Sequence, residues 1–372
     1  SRKAPGPDGL YIELFKADVD LVTSHLHPIV SHLWETGEIP AEMKEALLIK
    51  LPKKGDLSLT KNWRGITLQN SINKVIAKII LDRIAPSVEP RLRKEQAGFR
   101  RGKSCVDQIN TLRIIVEQCR AQNASLCLLF IDFEKAFDSL DQQKMWKILS
   151  DYDIPEKIIK IICELYDEAF IRVVHRGQVG SGFKVSNGVK QGCVLSPLLF
   201  NIILDYVLRL VTKTKRGIQW NPFSKLLDLD YADDIVAMTH TMTEMKDFLD
   251  DLVKYASHVG LKINVGKTKL MRVNPKERVT RSTSAAPQSL NINGVVLEEV
   301  KEFIYLGSVI AVDGGTEEDV RRRIILANVA FGSLNNVWYS KRLELKLKLK
   351  IFRSNVMSVL LYGSETWRVL QS

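Results

Sequence analysis

At 372 residues, 45% hydrophobic and 26% charged, the chain has enough apolar content to bury the core of two or three subdomains, which excludes disorder as its resting state. Its 54 Lys and Arg against 43 Asp and Glu leave a formal charge of +11, a balance that favours polyanionic partners such as nucleic acid over acidic ones. Five cysteines without a C-x-x-C pair, no apolar run suited to a bilayer and no signal-peptide core point to an intracellular chain without structural zinc or a membrane partner.

No repeat of solenoid period is visible, and the N-terminal third mixes helices with basic loops. In "SINKVIAKIILDRIAP", Ile72, Ile76, Ile79 and Ile80 share one helical face, and Pro86 is expected to stop the helix. Leu126 to Ile131 is a short apolar run suited to a buried strand, which puts Asp132 at its C-terminal tip. Ser139 with Gln142 is a capping-box signal for the helix that follows. Gly188 and Gly192 bracket a loop, after which Ser196 reads as an N-cap and Pro197 as the first helical residue. Residues 226 to 240, "LLDLDYADDIVAMTH", read as strand, turn, strand, and lead into a helix near 241 to 259 and the strand-like "GLKINVGKTKLMRV".

Residues 274 to 290 are polar and rich in Ser, Thr and Pro, as a surface loop is. Asn293-Gly294 signals a hairpin, and "FIYLGSVI" reads as another strand. From Thr316, with Asp319 as a capping partner, Val320, Ile324, Ala327, Phe331, Leu334 and Trp338 recur at helical spacing, with Arg321 to Arg323 turned mostly away from that face. "LELKLKLK" alternates like an edge strand but reads as helix, because "IFRSNVMSVLLYG" continues it without a turn signal.

The chemistry lies in the aspartates. Asp233 and Asp234 stand side by side at a turn, where like charges repel and resist burial. Asp132 also ends an apolar strand, and if the strands are neighbours three carboxylates converge on a volume that a divalent cation stabilises. Oxygen-only ligands suit Mg²⁺, and two such ions roughly 3.5 to 4 Å apart clamp the attacking and leaving oxygens of a phosphoryl displacement. The plainer reading of the same residues is a solvated Asp-Asp turn and a helix-capping Asp132. Asp228 and Asp230, which alternate along the incoming strand, are expected to face water or a neighbouring lysine.

In this company the chain resembles the reverse transcriptases of non-LTR (LINE-type) retrotransposons, nearest the RTE-like lineages. "DFEKAFD", "GVKQGCVLSPLLFNI", "YADD" and "GLKINVGKTKLM" are similar to polymerase motifs A to D, and "FIYLGS" to the primer grip. "LPKKGD", "NWRGITL" and "EQAGFRRGKS" resemble the fingers motifs, and "KAPGPDGLYIELFK" the family's N-terminal extension. The ordered set covers nearly the whole chain; Lys190 where Arg is commoner and Gly65 in place of the usual Pro are its small departures.

The resemblance implies an α+β right-hand polymerase. Its N-terminal extension and fingers span 1–125, an antiparallel-sheet palm with a ferredoxin-like βαββαβ core spans 126–310, and a helical thumb spans 311–372. It further implies Asp132 and Asp233 as metal ligands with Asp234 as a weaker companion, Mg²⁺ as cofactor with Mn²⁺ able to substitute, and Lys267, with Lys269 close by, as acid for the leaving pyrophosphate. Lys53, Arg64, Phe137, Gln191 and Gly192 take the nucleotide, Phe137 colliding with a ribose 2′-hydroxyl. Tyr305, Leu306 and Gly307 hold the primer, while Arg321, Arg322 and Lys341, with the other thumb cations, follow the duplex. Without the family, Phe137 is as well a core aromatic, "KLPKK" a solvated basic loop and the 188–192 stretch an ordinary turn.

The implied activity is RNA-directed DNA synthesis, with an RNA template, a DNA primer, the RNA–DNA hybrid and dNTPs as partners, in cytoplasm and nucleus. An endonuclease domain is expected elsewhere in the full-length protein. The alternatives are an RNA-dependent RNA polymerase, against which Phe137 argues, and a catalytically silent nucleic-acid-binding remnant, against which the intact carboxylates argue.

Overall fold

The elements that position the site are, in chain order, β1 (Glu45–Pro52), β2 (Trp63–Gln69), α1 (Ser71–Val88), α2 (Cys105–Ala121), β3 (Leu126–Ile131), α3 (Gln142–Asp151), α4 (Glu156–Tyr166), β4 (Phe170–His175), β5 (Gln178–Lys184) and α5 (Ser196–Val211). They continue as β6 (Asp228–Tyr231), β7 (Asp234–Thr239), α6 (Met242–His258), β8 (Lys269–Val273), β9 (Glu298–Glu299), β10 (Glu302–Tyr305), β11 (Ser308–Ala311), α7 (Glu317–Ser333) and α8 (Leu345–Phe352). The computed structural model describes residues 4–368 apart from Lys54, Lys215 and 276–288, so most of the loop read over 274–290 lies outside the described residues. Two compact units result, one of residues 1–99, 133–213 and 251–262, the other of 100–132, 214–250 and 263–372.

The first unit holds a four-stranded sheet in the order β2-β1-β4-β5. β1 pairs antiparallel with β2 and parallel with β4. α1 buries Ile76, Ile80, Ile84 and Val88. Its first turn is capped from far away: the Asp8 carboxylate accepts the Ser71 N–H at 2.7 Å, and the Ser71 hydroxyl donates to the Leu10 carbonyl at 2.8 Å. The helix does not stop at Pro86 but runs on to Val88, because a proline in the last turn forfeits only one backbone bond. The cap of α3 is Asp141, whose carboxylate accepts the Lys144 N–H at 3.1 Å, and not Ser139, which closes a separate short turn of helix. α5 buries residues on every side, as a helix through a core must; it opens one residue earlier than read, with Leu195 as N-cap, Ser196 as its first residue and Pro197 as its second.

The second unit is built on a five-stranded sheet in the order β9-β8-β3-β7-β6. All six residues of β3 are buried, as the apolar run predicts. α2 covers the sheet, its Ile109, Leu112, Ile115 and Val116 packing with Leu128, Phe130, Val236, Met238 and Met271. "FIYLGSVI" is two strands and not one: β10 and β11 pair antiparallel about Leu306-Gly307, whose positive φ angles of 47° and 84° make the tight turn. Asn293-Gly294 turns as expected between the paired segments Asn291–Ile292 and Val295–Val296.

α7 covers most of the periodic stretch but ends at Ser333, with Asn335–Trp338 a separate short helix and no side-chain cap from Thr316, and it presents a different face. Asp319, Arg323 and Ala327 are its buried residues, whereas Ile324 is 47% and Phe331 44% exposed. Polar anchoring outweighs the apolar stripe. Asp319 accepts from Arg113 Nη2 at 2.7 Å, from the Val309 N–H at 2.9 Å and from Trp367 Nε1 at 3.0 Å. The "LELKLKLK" segment is helical, as α8, and runs into a π-helical turn over Arg353–Met357. Among the described residues no helix is long and apolar enough to cross a membrane.

Removing one partner of the Asp319–Arg113 pair leaves the other charge buried and unanswered. Asp319→Ala is therefore expected to cost about 3–5 kcal/mol of stability. Equilibrium denaturation with guanidinium measures it, and a loss below about 1 kcal/mol, the worth of a surface ion pair, would contradict this role.

Candidate active site

Three carboxylates meet at one end of the second unit's sheet because of strand register. β3 and β7 run antiparallel with Ile131 opposite Ile235, so the next step of each strand carries Asp132 on one side and Asp234 on the other. β6 joins β7 through a turn closed by the Tyr231–Asp234 pair, which leaves Ala232 and Asp233 at its tip. Ala232 takes a φ of 57°, a left-handed conformation that is strained for a residue with a side chain.

The electrostatics follow. Asp234 is solvent-accessible, yet its carboxyl is pushed up to about 6 from an ordinary 3.8, first by the protein packed around it, then by the Asp233 and Asp132 charges, with Lys267 opposing. Lys267 Nζ lies 3.1 and 3.4 Å from the two Asp132 carboxylate oxygens. The turn that carries it is held by Asn264, whose N–H donates to the Asp132 carbonyl at 2.8 Å. Lys269, the neighbouring candidate, spends its ammonium on Glu298 at 2.6 Å and on the Gly266 carbonyl.

Asp228 and Asp230 are a correction. They are 1% and 0% exposed, so neither faces water. They lie on the paired face of β6, where Gln108 of α2 donates to the Asp230 carbonyl at 3.1 Å. With Asp234 they hold the Tyr305 hydroxyl well above its usual range, after burial itself.

The first unit gathers a second set of the expected residues. The Gln191 carbonyl accepts the Thr67 N–H of β2 at 2.7 Å, and the Gln191 side chain donates to Asp138 Oδ1 at 3.0 Å. Gly192 takes a φ of 113°, and a Cβ there would stand 2.8 Å from the Thr67 carbonyl oxygen, so only glycine lets the loop lie this close to the strand. The Val189 N–H donates to the Phe137 carbonyl at 2.7 Å. Phe137 stacks on Phe200 at 4.6 Å and meets Phe99 edge-on at 6.3 Å, which fixes its half-buried ring.

Phe137, Gln191 and Gly192 thus come together, while Lys53 and Arg64 stand exposed along the β1–β2 ladder, Arg64 opposite Leu51. Lys190 turns inward: its Nζ donates to the Leu165 carbonyl at 2.6 Å, and burial lowers the ammonium to about 8. Asp138, whose carboxyl burial raises, is a contact that sequence reasoning missed, and the second Asp of "DFEKAFD" was its only signal.

The expected primer-holding residues divide. Tyr305 is 2% exposed with its hydroxyl 3.4 Å from the Leu229 carbonyl, so its side chain supports β6 and cannot touch a primer. Leu306 and Gly307 remain partly exposed at the turn. Arg322 is also redirected, its Nη1 donating to the Gly307 carbonyl at 2.9 Å, whereas Arg321 pairs with Glu318 at 2.6 Å on the surface and Lys341 is exposed.

The family of reverse transcriptases (RNA-dependent DNA polymerases) matches residues 51–310, which include every candidate from Lys53 to Gly307. The chain belongs to that family. Residues 330–362 match a domain of unknown function, DUF6451. The reverse transcriptase is 29% identical over 267 residues to the Transposon TX1 uncharacterized 149 kDa protein of Xenopus laevis, covering 72% of this chain and 20% of that one. It is 25% identical over 311 residues to the Pol polyprotein of retrotransposable element R2DM of Drosophila melanogaster (82% and 28%), and 25% identical over 378 residues to that of the R2 element of Popillia japonica (97% and 49%). The chain therefore spans between 20% and 49% of the length of these relatives. Their names place it among the reverse transcriptases of non-LTR retrotransposons and do not bear on the RTE-like lineage. Among solved structures, a telomerase from Candida tropicalis aligns with a TM-score of 0.48 at 15% identity over 74% of this chain and 54% of its own, too loosely to bear on the site.

Reverse transcriptases generally use divalent metal ions. Among the described residues no three Asp, Glu, His or Cys groups converge at metal-ligand distances. The donor set nevertheless fits such an ion, being oxygen-only, with burial first and the neighbouring carboxylates second raising Asp234, and already drawing the Lys267 ammonium onto Asp132.

Because the folded Asp234 titrates near 6 and the unfolded group near 3.8, the folded chain holds the extra proton between those values and loses stability as pH rises through them. In chelator, Asp234→Asn is expected to unfold at a higher temperature than the unmodified chain at about pH 8 and at the same temperature at about pH 4. An equal difference at both pH values would remove the electrostatic account.

Proposed function

We propose that the chain is the RNA-directed DNA polymerase of a retrotransposon protein, extending a primer 3′-hydroxyl with dNTPs on an RNA template. The observation that carries this reading is the strand register that sets Asp132, Asp233 and Asp234 at one sheet end, with Lys267 on Asp132, in a chain whose residues 51–310 match reverse transcriptases. The order β8-β3-β7-β6 supports a palm with a ferredoxin-like βαββαβ core over 126–310, between fingers in 1–125 and a helical thumb in 311–372.

Asp132 and Asp233, with Asp234 beside them, would hold Mg²⁺, for which Mn²⁺ substitutes, and the bound ions supply Lewis-acid charge to the attacking and leaving oxygens. Lys267 holds a proton at Nζ for the departing pyrophosphate oxygen. Arg64 grips triphosphate oxygens through its planar fork, and Lys53 adds a point charge. Gln191 and Gly192 form the floor under the templating pair, and the immobile Phe137 ring collides with a ribose 2′-hydroxyl. The Leu306-Gly307 turn carries the primer, and Arg321 and Lys341 follow the backbone of the RNA–DNA hybrid. An endonuclease on the longer protein would supply the nick, with synthesis in the nucleus.

Asp233→Ala is expected to bind primer–template as the unmodified chain does and to extend none of it, so appreciable synthesis by this variant would sink the assignment. Phe137→Ala is expected to narrow the preference for dNTP over rNTP by roughly 10- to 200-fold, the scale on which one lost steric contact acts. Single-nucleotide incorporation kinetics read it, and an unaltered preference would return Phe137 to the core.

A further inference from the structure

The segment Tyr362–Trp367, "YGSETW", closes over the β10–β11 hairpin from the far end of the chain. The Tyr362 hydroxyl donates to the Leu306 carbonyl at 2.8 Å and lies 3.2 Å from Cys105 Sγ on α2. Burial pushes that hydroxyl up to about 12, so it stays protonated and available as a donor. The Arg323 guanidinium sits 4.4 Å from the centre of the Tyr362 ring, and Arg322 and Arg323 both donate to the Gly307 carbonyl. Gly363 has a φ of 76°, and a Cβ there would stand 2.7 Å from Ser308 Oγ, so the strap lies directly on the hairpin.

Beyond it, Arg113 Nη1 donates to the Thr366 carbonyl at 3.1 Å, and Trp367 Nε1 to Asp319, which also takes the Val309 N–H of β11. Both carbonyls of the Leu306-Gly307 turn are thereby tied, one to the strap and the other to α7. The hairpin in turn reaches β6 through Tyr305, and β6 leads into Asp233.

We propose that Tyr362 is a positioning residue for primer binding, its hydroxyl fixing the Leu306-Gly307 turn at the height from which the turn presents the primer terminus to the carboxylates. The inference rests on the polymerase reading above and gives a task to the end of a segment, 330–362, whose matching family model is a domain of unknown function. Tyr362 acts through the backbone of the turn, not on substrate.

Tyr362→Phe keeps the ring on Arg323 and removes only the hydroxyl. The full chain carrying it is expected to show a KM for primer–template raised roughly tenfold, the effect of one hydrogen bond of ordinary net worth, with the KM for dNTP unchanged and the thermal unfolding midpoint lowered by no more than about 4 °C. Amide hydrogen exchange over 302–311 is expected to quicken at the turn. Unchanged exchange would overturn the latch, and quickened exchange with an unchanged primer–template KM would overturn its role in primer binding. An unmodified chain that extends no primer would overturn the polymerase reading, and the exchange comparison would then decide the latch by itself.

Discussion

Repulsion among Asp132, Asp233 and Asp234 is imposed by the register of β3 on β7. Both strands are buried along their apolar lengths, so a slip of one residue would drag a carboxylate into the sheet. Hydrophobic burial therefore decides where the charges go, and the charges cannot relax by moving apart. Their relief must come from outside the strands. For Asp132 it comes from Lys267, on a turn whose backbone is bonded to Asp132 itself. The Asp234 carboxyl is raised first by burial and then by the Asp233 and Asp132 charges, against which Lys267 acts. A site that holds like charges together while staying open to solvent is suited to divalent cations and the phosphates that accompany them.

The rest of the second unit secures that sheet end with polar contacts. Tyr305 and Gln108 brace β6 through backbone carbonyls, and Asp319 ties α2, β11 and the C-terminal strap into one cluster with Arg113 at its centre. Buried ion pairs add little net stability, but they fix geometry, since each donor in such a cluster has a single satisfactory arrangement. A strap held this way is firmer than its scattered surface hydrophobics would make it. In the first unit the same economy holds the 188–192 loop, clamped by the Thr67 N–H and by Asp138.

Local signals read well where one force dominated. The apolar run of β3, the strand-turn-strand about Asp233, the helix at 242–258 and the Asn293-Gly294 turn were all legible, because burial or turn chemistry alone determines them. Legibility failed where a distant partner decides. The apolar spacing of α7 pointed to Ile324 and Phe331, yet Arg113, some 200 residues earlier, draws Asp319 inward instead. Asp228 and Asp230 looked like solvated strand residues until β6 took its place under α2. "FIYLGSVI" concealed a turn, since Leu306 takes a positive φ that its residue type does not announce. Of the candidate site, the motif order pointed to the carboxylates, Lys267 and the 188–192 loop, whereas Tyr362 makes contacts that no local pattern announces.

The claim on which the account turns is that three register-locked carboxylates form one divalent-cation site. Thermal unfolding in increasing Mg²⁺, against NaCl of matched ionic strength, tests it directly in the unmodified chain and in Asp132→Asn combined with Asp233→Asn. Mg²⁺ is predicted to raise the midpoint of the unmodified chain, saturably and beyond the salt control, by linkage of binding to folding, and to leave the double variant unmoved. Equal shifts in both proteins would show that the carboxylates are merely neighbours, and the account would fail.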